Sequence, residues 1–111
     1  MAINFDEIAS AMLAAMRPIL TGAWQNVAGF ASMEARKLAV TFVDIEAMLG
    51  SNPPQVSRAV ADALIDSQKQ AAQAVLQAVE GVGIIAAQQA VNAAVNAVSG
   101  IVNKAVGFAL V

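Results

Sequence analysis

The sequence predicts an all-α protein, a long helical hairpin packed with further copies of itself in a homo-oligomeric helical bundle. Three observations carry this. Apolar residues recur every three or four positions along nearly the whole chain, the period of a helix face. The three prolines fall at two places only, Pro18 and Pro53–Pro54, so long stretches are free of helix breakers. The apolar content is high, 59% of 111 residues, but it is mostly alanine and valine, with one Trp and four Phe. Small side chains each bury little area, at about 25 cal/mol per Å². A solitary hairpin of this kind leaves apolar surface in water, which other copies or lipid would cover.

The first arm is expected over residues 4–49. Asn4 and Glu7 have the spacing of a capping box, and Ile3 and Ile8 that of a hydrophobic staple. Asp6 and Glu7 also suit the positive end of the helix dipole. Phe5, Ile8, Met12, Met16 and Ile19 follow at helical spacing. Pro18 lacks an amide hydrogen and crowds the preceding turn, so a break is expected near 17–22. Beyond it, Leu20, Trp24, Val27, Ala31, Ala35, Leu38, Phe42, Ile45 and Leu49 form a seam close to a heptad repeat. Phe30, Met33, Val40 and Val43 add a second apolar flank. Glu34, Arg36, Lys37 and Asp44 are expected on the outer face. Trp24 and Met12, Met16, Met33 and Met48 read as core.

Gly50–Gln55 (GSNPPQ) is the clearest punctuation, with the turn expected at residues 50–53. Gly50 suits the position after a helix. Asn52 suits the next N-cap, with Pro53 in the first turn and Gln55 at capping-box distance. A connection this short makes the arms antiparallel neighbours.

The second arm is expected over residues 53–108; Gly81 and Gly83 can bend or split it, and one long helix is favoured. Its polar positions, Asp62, Asp66, Lys69, Gln73, Gln77 and Glu80, step by fours and threes, and the phase is roughly kept beyond the glycines. From Ile84 to Gly107 a helical wheel separates three stripes. Gln88, Asn92, Asn96, Ser99 and Asn103 make an amide-rich ladder. Ile84, Val91, Val95, Val98, Val102 and Val106 make a branched apolar face. Ala86, Ala90, Ala93, Ala97 and Gly100 make a face of small residues, which permits close helix contact. Two non-polar faces predict two partners: the chain's own first arm, and either a neighbouring subunit or lipid. These stripes are the candidate assembly faces.

No charge occurs between Glu80 and Lys104, so residues 81–103 are long enough to span a bilayer. Unpaired amides are costly in lipid. Because the ladder continues a charged stripe, it is read as facing water. The alternative places it at the centre of a membrane oligomer.

The chain has no His, Cys or Tyr. Ser–His and Cys–His nucleophile systems are excluded, as is a di-iron site built on Glu-x-x-His. Asp62 and Asp66 lie one turn apart and read as a solvated pair. Gly81-Val82-Gly83 lacks the strand and third glycine of a dinucleotide fingerprint. No catalytic residue, cofactor or metal is therefore expected, and the protein is read as non-enzymatic. A net charge of −2 without a basic cluster argues against nucleic acid. The N-terminus has no basic region ahead of an apolar run, so no signal peptide is expected. The sequence does not fix a location, and a cytoplasmic or virion-associated one is the expectation.

In the segments QKQAAQAVLQAVEGVGIIAAQQAVNAAVNAV and VNKAVGFALV, the chain resembles a set of small, uncharacterised all-helical proteins of bacterial and prophage genomes. The shared features are Glu80–Gly81, the segment Val91–Ala94 and the ending Gly107–Leu110, all in the C-terminal half. The resemblance implies a phage-derived or self-assembling component and carries over no catalytic residue. Together these readings predict a self-assembling structural protein, such as a phage or tailocin virion component or a filament subunit. The alternative is a membrane-active oligomer (a channel, a holin-like factor or an ejection conduit) spanning lipid with residues 81–103. A third reading is an adaptor that offers its apolar groove to a partner helix.

Overall fold

Asn4 opens the first helix as its spacing predicts: its Oδ1 accepts the Glu7 N–H at 3.0 Å. Ile3 and Ile8, the two halves of the staple, are both buried. The computed structural model describes residues 3–111. Its helices are α1 (Phe5–Met16), α2 (Trp24–Gly50), α3 (Arg58–Gln77) and α4 (Ile84–Val106), with a single 3₁₀ turn at Thr21–Ala23 leading into α2. No strand occurs among the described residues.

α1 ends where Pro18 requires. The Leu20 N–H donates to the carbonyls of both Met16 and Arg17, closing the turn before α2 begins. Along α2 the predicted seam is the buried face: Val27, Ala31, Ala35, Leu38, Phe42 and Ile45 are all inside. Glu34 departs from its expected outer position and is buried, with 1% exposure.

The turn after α2 is longer than residues 50–53, and its cap differs. Ser57, not Asn52, is the N-cap of α3, accepting the Val60 N–H on Oγ at 3.2 Å. The physical reason lies in the second proline. Pro54 disfavours helical geometry at Pro53, so no helix starts there. The intervening loop is tied down by Gln55, whose N–H donates to the Met48 carbonyl at 2.9 Å.

The second arm is not one bent helix. α3 stops at Gln77 and α4 starts at Ile84, with Gly81 at φ +90° in the turn between them. Glycine reaches that conformation without the clash a Cβ would bring. A Cβ there would also sit 3.3 Å from that of Ala23. Laid end to end, α3 (20 residues) and α4 (23 residues) would measure about 65 Å. The longest dimension of the molecule is 46 Å. The chain therefore reverses, and the Phe108 ring just after α4 returns to the start of α3, 3.8 Å beneath the Arg58 guanidinium carbon.

The result is an up-down-up-down four-helix bundle. α1 and α3 each pack on α2 and α4, and α2 touches α4 across the diagonal. One core runs through it, with Phe42, Ile8, Met12, Met16, Leu38 and Leu76 among its largest buried side chains. Alanines and valines fill the space between.

Candidate assembly surfaces

α4 positions the stripes that the sequence singles out. Gly107 ends it in the left-handed conformation, at φ +86°, with its N–H bonded to the Asn103 carbonyl. Lys104 lies in the last turn, where a cation suits the helix dipole.

The branched stripe faces inward. Val91, Val95, Val98 and Val102 are buried, Val106 is half-buried and Ile84 is exposed at the helix start. The small-residue stripe grades from inside to outside. Ala90 is buried, Ala86 and Ala93 are half-buried, and Ala97 and Gly100 are exposed. Ala87 and Ala94 lie between the two stripes and are fully buried. The two non-polar stripes thus merge, over most of α4, into one broad face that packs on the chain's own helices. The signal for this was the pair of alanines that neither stripe includes.

The ladder divides as well. Gln88, Asn92 and Asn96 are exposed on the surface of the single chain. Ser99 is half-buried and donates to the Asn96 carbonyl at 3.0 Å. Asn103 is engaged within the chain. Its Oδ1 accepts the N–H groups of Leu110 and Val111 at 2.8 and 3.0 Å, and its Nδ2 donates to the Val111 carbonyl at 2.9 Å. The amide pins the C-terminal tail across the last turn of α4, so it is spent on the monomer's own fold.

The apolar surface left outside lies mainly elsewhere. Phe30, Met33 and Val40 on α2, and Val60 and Leu64 on α3, are 40–48% exposed. Ile84 and Ile85 stand out at the start of α4, and Ile101 is at its edge. Phe30 lines a groove with Ala74, Val75, Ala78, Val79 and the charged Glu80, so the α2–α3 rim is mainly apolar on both sides. The sequence marks this rim only as the second flank of α2. Met33, read as core, belongs to it.

Beneath the rim, the Lys37 ammonium lies 3.2 Å from Oε2 of the buried Glu34. That oxygen has no well-directed hydrogen bond, so the contact is an ion pair without hydrogen-bond geometry. Lys37 is half exposed, and solvent screening limits what the pair contributes. Glu46 serves the opposite end, accepting the Ile3 N–H at 2.9 Å. Trp24 is half-buried under the Arg17 guanidinium, 5.3 Å from its ring centroid, rather than fully in the core. Asp62 and Asp66 are both exposed, as a solvated pair should be.

Comparison with known protein families, curated proteins and solved structures finds no match to this chain.

Proposed function

We propose that the protein is a non-enzymatic, self-assembling structural unit, a building block of a larger particle or filament such as a phage or tailocin component. The observation that carries this is the apolar rim. After the core has closed within one chain, Phe30, Met33, Val40, Val60 and Leu64 still face water along neighbouring helices. Exposed large apolar side chains gathered on neighbouring helices, with charges among them, suit an interaction surface. Size exclusion with light scattering, run with and without detergent, tests the proposal. A particle larger than one chain without detergent supports it, and a monomer at every accessible concentration refutes it.

A second reading has its own observation. α4 is long and apolar enough to cross a membrane, with Ile84 and Ile85 exposed at its start. On this reading α4 leaves the bundle and spans lipid in an oligomer. The cost is exposure of its buried alanine–valine face and loss of the Asn103 tail clamp. Flotation with liposomes decides: protein that stays wholly in the soluble fraction rules the membrane reading out.

A further inference from the structure

The outer row of α2 reads Phe30, Met33, Lys37, Val40, Asp44 and Ala47, in alternate steps of three and four residues. Every member is exposed. This is a heptad row pointing away from the bundle's own core, the spacing with which one helix lies along another at a small crossing angle. Val60 and Leu64 extend it. They sit on the same flank of α3 as Val75 and Ala78, and because α3 runs antiparallel to α2 they lie towards the C-terminal half of the row.

The charges in the row choose its partner's direction. Lys37 and Asp44 stand one on each side of Val40, about 10 Å apart along the helix. A parallel copy would stack Lys37 on Lys37 and Asp44 on Asp44. An antiparallel copy brings each Lys37 to Asp44 of the other copy, twice, with Val40 beside the two-fold axis. Asp44 is free to do this, and Lys37 can reach a second carboxylate while it stays beside Glu34. Asp44 makes no ion pair within its own chain among the described residues, and Lys37 keeps half its side chain exposed beyond Glu34. Such charges fix orientation and register more than they add affinity.

We propose that two copies of the chain pair antiparallel through this outer row of α2, in an isologous contact. The proposal rests on the self-assembly reading above and adds the interface, its direction and its symmetry.

The chain has no cysteine, so Val40→Cys introduces a single reporter. Under mild oxidation the full-length variant is expected to form a covalent dimer, while Asn92→Cys on the exposed side of α4 does not. Asp44→Lys is expected to weaken the dimer at least about tenfold. Lys37→Glu alone would place two acids together at Glu34, so the rescue is made with Glu34→Gln. The triple variant Glu34→Gln, Lys37→Glu, Asp44→Lys reverses both charges of the row and is expected to restore pairing, with thermal melts confirming that each variant is folded. If the parent associates but Val40→Cys does not cross-link, or Asp44→Lys pairs as tightly as the parent, this interface is wrong while self-assembly stands. A parent that stays monomeric overturns both.

Discussion

α3 and α4 are neighbours of similar length, and they are held in the bundle in opposite ways. α4 has no acidic residue and buries seven side chains, all alanine or valine. α3 carries Arg58, Asp62, Asp66 and Lys69 and buries only Ala61, Ile65, Ala72 and Leu76. The helix that looks most like a membrane span thus turns an alanine–valine face inward, while its isoleucines, Ile84, Ile85 and Ile101, stay outside. The more polar helix divides its apolar residues between the core and the outer rim. Apolar content locates a helix poorly; the angular placement of its small residues locates it better.

The largest expected effect separates the two helices directly. Val98→Asp buries an unpaired charge in α4 and should cost more than about 4 kcal/mol, abolishing cooperative thermal unfolding. The same change on the outer flank of α3, Leu64→Asp, should alter stability by no more than about 0.5 kcal/mol. Its effect should appear instead as weaker association by light scattering. If Leu64→Asp unfolds the protein, the division of α3 into core and rim is wrong.

Next in size, Leu76→Ala removes the largest fully buried side chain of α3, with an expected loss of about 2–4 kcal/mol in denaturant unfolding. Because α3 has so few anchors, its amides should also exchange with solvent before those of α4 in this variant. Asn103→Ala frees two tail N–H groups and is expected to cost about 1–2 kcal/mol, with the tail becoming protease-sensitive. Ser57→Ala removes the α3 N-cap and should cost about 1 kcal/mol by the same unfolding assay. The smallest effect belongs to Asn96→Leu. An exposed Asn96 predicts near-neutral stability and lower solubility, whereas a ladder lining a membrane oligomer predicts lost assembly.

Much of this fold was legible in the sequence. The Asn4 cap, the Ile3–Ile8 staple, the break at Pro18 and the inner seam of α2 are local patterns with local causes, and the structure contains each. The reversal between α3 and α4 was harder to read. The polar phase is roughly preserved across Gly81–Gly83, and two antiparallel helices can share a phase as readily as one bent helix. Only the positive φ at Gly81, a backbone property, separates the cases. The start of α3 was misplaced because Pro53 suits a first helical turn on its own, and Pro54 overrides it. Asn103 matched its ladder by spacing, yet the tail it clamps lies beyond the helix, where periodicity gives no guidance. Glu34 lies near its charged neighbours in sequence and still falls inside, because one helical step sets it between the core seam and the outer row of α2.

The apolar rim was visible as the second flank of α2, and its significance depends on burial. A flank of this kind can also be covered by the chain itself, as the valine face of α4 shows. What remains uncovered is a tertiary outcome.

Hydroxyl-radical footprinting across a concentration series tests the account most directly. As concentration rises, Phe30 and Met33 on the outer row of α2 should lose reactivity, while Ile84 and Ile85 at the start of α4 stay reactive. Phe30 and Met33 remaining equally reactive at every concentration would contradict it.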